Sequence, residues 1–212
     1  MKKHSFLLLL ILQVSNIIFT NTIIAQESVK IGAQTWSTSN LDVKKFRNGD
    51  VIKEAKTEEE WRIAAKNKTP MWCYYENDSI QGAKYGKLYN FFAVIDPRGL
   101  APAGWQIPSE NDWKVLITSL SEPNSLSGNK LKTKTGWIVN NGNNLSGFNA
   151  LPAGKKGLDG ISIYKGIYAF FWTTTTNTNG AAEYIYLVDF SDKVGNDFTG
   201  KGNGFSVRCI KK

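Results

Sequence analysis

The spacing of apolar and polar positions predicts two short helices in the first two thirds of the chain. In the run "TEEEWRIAAKNK", Thr57 is a typical N-cap and Glu60 stands three residues later, where a capping box places its second member. Acidic residues fill the first turn, where the helix dipole favours negative charge. Trp61, Ala64 and Ala65 form the apolar stripe that we expect to be buried.

The second helix is predicted after the proline- and glycine-rich run "GLAPAGWQIP". Ser109 is the expected N-cap and Asp112 its reciprocal partner. Apolar side chains then recur at positions i, i+3, i+4 and i+7, which places them on one helical face. These residues are Trp113, Leu116, Ile117 and Leu120.

Strand patterns dominate the rest of the sequence. "SVKIGAQTWS" predicts a hairpin that turns at Gly32 and Ala33. Helical periodicity stops after Leu120, and short aromatic runs alternate with segments rich in Gly, Asn, Thr and Ser. "YIYLVDF" is apolar enough for a central strand, and "GFSVRCI" alternates between two faces. We therefore predict one α+β domain over residues 26–212, with long irregular loops.

The N-terminal residues 1–25 have the pattern of a secretory signal peptide. Two lysines are followed by an apolar run and a small residue, Ala25. Ile23 fits the cleavage site poorly, so an uncleaved membrane anchor remains the alternative. After cleavage we expect no membrane span, and an exported protein that is extracellular, on the cell surface or periplasmic.

Composition excludes several functional classes. The only histidine is His4, so the mature chain has no imidazole for a catalytic triad or a metal site. Without residues 1–25 the chain keeps 24 basic and 18 acidic residues, a net charge of +6. The basic residues are scattered among acidic ones, so we expect no nucleic acid partner.

Two cysteines remain in the mature chain, Cys73 and Cys209. Because disulfides persist outside the cytoplasm, we predict that these two residues form one. Two buried free thiols are the alternative.

Two oxygen-rich segments could suggest calcium, but each has a simpler interpretation. Glu122, Pro123 and Asn124 match a lectin motif in letters only and follow the second predicted helix, where a turn is expected. The other segment, "VDFSDKVGNDF", is more typical of a hairpin turn. Its oxygen-bearing side chains are Asp189, Asp192, Asn196 and Asp197. We predict no metal site and no cofactor.

Aromatic residues offer a candidate ligand surface. Flat rings beside polar residues stack on sugars, and most rings of this chain are assigned to the core by their helix or strand pattern. Trp137, Tyr164 and Tyr168 are left in Gly-rich loops, so they are the candidate ligand-binding residues, with loop packing as the alternative. Arg208 is expected to anchor loop carbonyls or a carboxylate.

Eight motifs, in this order and spacing, resemble the Fibrobacter succinogenes major paralogous domain, a family of exported bacterial proteins, over nearly the whole mature chain. They are "VKIGAQTWSTSNL", "RNGD", "MWCYYEND", "YGKLYNFFAV", "GLAPAGWQIPSENDW", "GFNALPAG", "FWTTT" and "GFSVRCI". The chain departs from the family pattern at Gln106, where His is usual, and in "WTTT" and "PAGKK", where "WSST" and "PGGYR" are usual.

"GWQIPSENDW" and "GFSVRC" are also distantly similar to formylglycine-generating enzymes and, with them, to the C-type-lectin-like fold. That similarity implies two short helices, a twisted antiparallel sheet and joined termini. The enzymes bind copper through two cysteines in their C-terminal half, and Cys73 does not map there. We therefore expect a non-catalytic module that binds glycan or protein. The alternatives are an enzyme of that type and a purely structural surface component.

Overall fold

The computed structural model describes residues 27–120 and 127–212. The predicted signal peptide and the motif formed by Glu122, Pro123 and Asn124 lie outside these residues. No helix within the two described stretches has both the length and the apolar character needed to cross a bilayer.

The described chain is an α+β structure in which strands outnumber helices. The helices are α1 (Glu58–Lys66), α2 (Ser79–Tyr85), α3 (Phe91–Val94), α4 (Glu110–Leu120) and α5 (Ser127–Leu131), and a 3₁₀ turn covers Tyr75–Asn77. The strands are β1 (Ser28–Ile31), β2 (Gln34–Ser37), β3 (Lys53–Glu54), β4 (Met71–Cys73), β5 (Leu88–Asn90), β6 (Trp105–Gln106), β7 (Lys155–Lys156), β8 (Ser162–Ile163), β9 (Tyr168–Thr176), β10 (Ala182–Val188), β11 (Ser191–Thr199), β12 (Gly204–Phe205) and β13 (Ile210–Lys211).

Both predicted helices are confirmed as α1 and α4, with their N-caps. The Thr57 hydroxyl accepts a hydrogen bond from the Glu60 amide at 3.1 Å. At α4 the capping box is complete: the Asp112 amide donates to Ser109 Oγ, and the Ser109 amide donates to Asp112 Oδ2. The three shorter helices were not predicted, because a helix of four to seven residues has too few turns for a periodic pattern.

The first and last strands of the chain lie in one four-stranded sheet, in the order β1-β2-β13-β6. The predicted hairpin is confirmed, because β1 pairs with β2 and leaves only Gly32 and Ala33 in the turn. Strand β13 then pairs antiparallel with β2 on one side and with β6 on the other. The C-terminal segment therefore closes the fold.

A second, six-stranded mixed sheet has the order β3-β4-β5-β12-β7-β8. Strands β3 and β4 are parallel, and the remaining pairs are antiparallel. Short strands and many turns explain why this sheet was not apparent in the sequence.

The third sheet has the order β11-β10-β9 and positions the candidate site. Strand β10 is its centre, as "YIYLVDF" predicted. Ile185 and Leu187 point into a buried cluster that also contains Trp113 of α4. Tyr184 and Tyr186 alternate with them and lie half-buried on the other face.

Arg208 is completely buried and links residues 37–40 to the loop that contains residues 148–149. It donates to Asn40 Oδ1 and to the carbonyls of Ser37, Phe148 and Asn149, at distances of 2.6–2.9 Å. The expectation that Arg208 anchors loop carbonyls is confirmed.

The predicted disulfide is not formed in the structure, where Cys73 and Cys209 are both buried free thiols. Cys73 ends β4 in the six-stranded sheet and pairs across the ladder with Leu88. Cys209 exchanges hydrogen bonds with Ser37 beside the four-stranded sheet. The two residues also belong to different hydrophobic clusters, so the alternative of two buried thiols replaces the predicted bridge.

Candidate functional site

A group of aromatic rings lies on the face of the three-stranded sheet that packs against Phe205, at the partly exposed edge of a buried cluster. We call this group the aromatic surface. It consists of Tyr164, Tyr168, Phe170, Tyr184, Tyr186 and Phe190. Strands β9 and β10 supply four of the six residues, while Tyr164 precedes β9 and Phe190 lies in the turn after β10.

The rings form a continuous stack that runs from solvent into the core. Tyr168 and Phe170 are nearly parallel, with their centroids 5.1 Å apart. Phe170 in turn stacks on buried Phe205, also at 5.1 Å. Phe190, which is 66% exposed, meets Tyr168 edge to face. The inner rings thus fix the positions of the outer ones, which makes the surface rigid before any ligand arrives.

Gly195 in β11 allows Tyr186 to lie across the strand. The two residues pair directly in the ladder. A Cβ at position 195 would stand 2.2 Å from Cζ of the Tyr186 ring. Only glycine leaves room for the ring to cover the backbone there.

Tyr164 occupies the left-handed region of backbone space, with φ of 71°. Such a conformation is unusual for a bulky residue and is held here by a tight turn. The amides of Ile167 and Tyr168 both donate to the Tyr164 carbonyl. The turn places the Tyr164 ring 5.2 Å from that of Tyr168, with 45% of the residue exposed.

Between these rings the structure has a cavity of about 250 Å³. One cation and one anion line it, Lys155 of β7 and Asp197 of β11. Burial, followed by the negative charge of Asp197, raises the pKa of Tyr184 to about 12. The Tyr184 hydroxyl therefore stays protonated at neutral pH and can donate a hydrogen bond.

The structure brings together two of the three predicted ligand-binding residues, Tyr164 and Tyr168. Trp137 is elsewhere: it is only 4% exposed, and its indole nitrogen donates to Thr133 Oγ1 at 3.0 Å. A ring buried on both faces has none left for a ligand to stack on. The prediction for Trp137 is therefore corrected to a core residue.

Sequence reasoning missed Tyr184, Tyr186 and Phe190 because it assigned the run from Tyr184 to Phe190 to a core strand, and it did not single out Phe170. One sequence pattern could have distinguished the tyrosines of β10 from the core residues of that strand. In "YIYLV" aromatic and aliphatic residues alternate with a period of two, which indicates that the strand shows different faces to two environments.

The oxygen-rich residues of β10 and β11 are divided among separate roles. Asp192 pairs with buried Lys132 at 2.9 Å, and Asn196 donates to Glu183 Oε1. Asp189 accepts from the Val139 amide, and Asp197 lines the aromatic surface. No group of three or more His, Cys, Asp or Glu that would hold a metal ion occurs among residues 27–120 and 127–212.

A second cavity, of about 440 Å³, lies at the start of α4. Three of its polar side chains, those of Arg47, Ser109 and Asp112, are already engaged with the protein. Arg47 donates twice to the Ala101 carbonyl, and Ser109 and Asp112 bond to each other in the capping box. The aromatic surface adds partly exposed rings on which a ligand can stack, so we take it as the candidate site.

Comparison with known proteins identifies the family. The family model of the Fibrobacter succinogenes major domain matches residues 29–211, so the chain belongs to this family. The resemblance seen in the eight motifs is confirmed. Neither the curated proteins nor the solved structures provide a match.

Proposed function

We propose that this member of the Fibrobacter succinogenes major domain family is an exported, non-catalytic module that binds glycan through the aromatic surface. The observation that carries the proposal is the rigid, partly exposed stack of Tyr and Phe rings around a small cavity. Aromatic faces pack against the apolar C–H faces of sugar rings, while tyrosine hydroxyls supply hydrogen bonds at the edges.

The polar groups of the cavity favour a hydroxyl-rich ligand. Tyr164, Tyr168, Tyr184 and Tyr186 each carry a hydroxyl that can donate and accept. Asp197 is exposed and adds a charged acceptor.

The cysteines argue against the alternative of a copper-dependent enzyme. Such an enzyme needs accessible thiolates, since the thiolate is the metal ligand. Here burial raises the pKa of both thiols to about 12. Neither Cys73 nor Cys209 is suited to that chemistry.

We further propose that the fold is of the C-type-lectin-like type. The pairing of β13 with β2 supports this, because it joins the two ends of the domain in one sheet, as that fold does. In that fold, irregular loops beside a sheet carry the ligand. Here Tyr164 lies in an irregular segment of this kind, in the turn before β9.

A glycan array followed by calorimetry on the retained oligosaccharide tests the function. Tyr164→Asn removes one ring and suits the backbone, since Asn tolerates positive φ. We expect Tyr164→Asn and Phe190→Ala each to weaken binding about tenfold, which is about 1.4 kcal/mol.

Phe198→Ala is the matched control. Phe198 is 38% exposed on β11 but pairs with Glu183, so it faces away from the aromatic surface. Its substitution should leave the affinity unchanged. An array without any retained glycan would instead favour a structural surface component. Binding that Tyr164→Asn leaves intact would place the glycan elsewhere.

A further inference from the structure

The aromatic surface carries one positively charged side chain, that of Lys155. Lys155 lies over the rings, with its Nζ 5.7 Å from the centroids of both Tyr164 and Phe170. At that distance the ammonium is attracted by the electron-rich ring faces, which hold it at the edge of the cavity. It is thus a fixed positive charge where a ligand would stack.

Lys155 forms no ion pair within the described part of the chain. Some of the other lysines that lie over aromatic rings have an acidic partner, whereas Lys84 and Lys201 have none among the described residues. Lys87, above Trp72, pairs with Asp42, and Lys132, above Trp137, pairs with Asp192. The ammonium of Lys155 is therefore the one charged donor of the cavity that remains available to a ligand.

Asp197 lines the same cavity but forms no ion pair with Lys155. It belongs to β11, where it is paired with Tyr184, whereas Lys155 belongs to β7 and lies over Tyr164. Asp197 Oδ1 also accepts from the Phe198 amide at 2.7 Å. The cavity thus offers a cation to one part of a ligand and an acceptor for hydroxyls to another.

We propose that the aromatic surface selects acidic glycans, with the anionic group of the sugar bound to Lys155 and neighbouring hydroxyls directed to Asp197. This inference rests on the proposed function and narrows it. A charge-assisted hydrogen bond to an ammonium is about twice as strong as a neutral one, so the anionic group decides the preference. Both uronic acids and sulfated sugars offer such a group.

Calorimetry with matched oligosaccharides tests the inference. The probes are trigalacturonate, its methyl ester, which has the same backbone without charge, and a sulfated galactan trisaccharide. We expect esterification to weaken binding about tenfold. The stronger of the two acidic probes identifies the anionic group as carboxylate or sulfate.

Lys155→Met keeps the apolar stem over the rings and removes the charge. It should weaken binding of the acidic probe about tenfold and leave binding of the methyl ester unchanged. Lys30→Met is the matched control, because Lys30 is exposed in β1 of the four-stranded sheet. Raising the salt concentration should reduce the difference between wild type and Lys155→Met, since the ligand contact is partly open to solvent.

Two results would overturn the inference, and both can be distinguished from results that overturn the proposed function. If acid and ester bind equally while Tyr164→Asn weakens both, the surface binds glycan without regard to charge. If Lys30→Met weakens binding of the acidic probe as much as Lys155→Met does, the effect comes from the net charge of the protein and not from Lys155. Absence of binding, or binding insensitive to Tyr164→Asn, overturns the proposed function itself.

Discussion

Arg208 shows how one buried residue can link two segments of the chain. Its guanidinium donates to four acceptors on two segments and lies 4.6 Å from the centroid of the Phe148 ring. Burial lowers its pKa to about 9, so it still carries its charge at neutral pH. No acidic residue appears among these partners, so carbonyl dipoles provide the stabilisation.

Arg208→Lys should strongly destabilise the protein. An ammonium has fewer donors and lacks the planar fork, so at least one of the buried carbonyls loses its partner. We expect the free energy of unfolding to fall by about 3 kcal/mol, measured by urea denaturation. Arg62→Lys is the control, because Arg62 is exposed on α1. A loss no greater than that of the control would mean that Arg208 does not hold the loops.

The two thiols predict an alkaline instability. Burial raises the pKa of Cys73 and Cys209 to about 12 in the folded protein, against about 8.5 for a thiol in an unfolded chain. Because the folded pKa is the higher one, the contribution to stability is complete below pH ~8.5 and is lost as the pH rises towards about 12. Each thiol contributes at most about 1.4 kcal/mol per pH unit.

Urea denaturation at increasing pH measures this loss, and the double variant Cys73→Ala, Cys209→Ala should show a shallower decline. Ellman's reagent gives a second readout. We expect no reaction with the native protein near pH ~8, and two reactive thiols after denaturation. No thiols after denaturation would instead restore the disulfide that the sequence suggested.

At the scale of elements, the sequence predicted the features that depend on contacts between residues close together in the chain. The Ser109 and Asp112 capping box starts α4, and the Gly32 and Ala33 turn sets the β1–β2 register, because both depend on residues only a few positions apart. The aromatic surface depends on pairing between strands. The register of strand pairing places Tyr186 beside Gly195 and Phe170. The sequence of a single strand does not specify that register.

Trp137 shows that local sequence patterns are equally limited for loop residues. A glycine-rich neighbourhood suggested an exposed loop, yet the ring enters the cluster that contains Leu131 and Phe148. Loop residues can pack as tightly as strand residues when a distant segment covers them. Local composition indicates a loop but not which way its side chains face.

Gly195→Ala should damage the aromatic surface without removing any of its rings. The added methyl group would overlap the Tyr186 ring, which must then swing away from β11. We expect a loss of about 1–3 kcal/mol in stability, together with weaker glycan binding. Gly200→Ala is the control, since a methyl group there meets only ordinary contacts with Leu158. Equal effects of the two substitutions would show that the Tyr186 position does not depend on Gly195.

At the scale of the whole molecule, β9 links the two large hydrophobic clusters. Phe170 and Trp172 face one of them, and Phe171 faces the other. Trp172 also donates from its indole nitrogen to the Tyr89 carbonyl of the six-stranded sheet. Because one strand contributes to both clusters, neither can loosen without disturbing the other. We therefore expect the domain to unfold as a single cooperative unit.

Removal of the last strand should prevent folding. Strand β13 lies inside the four-stranded sheet, and buried Ile210 pairs with both Trp36 and Gln106. A chain ending at Cys209 would leave two inner strand edges unpaired and a cavity where Ile210 was, a loss that exceeds about 5 kcal/mol, the lower end of typical domain stability. We expect no native near-ultraviolet circular dichroism from this variant. A chain lacking only exposed Lys212 should give the native spectrum, because β13 is then complete. A native spectrum from the shorter chain would show that the first and last strands need not be joined.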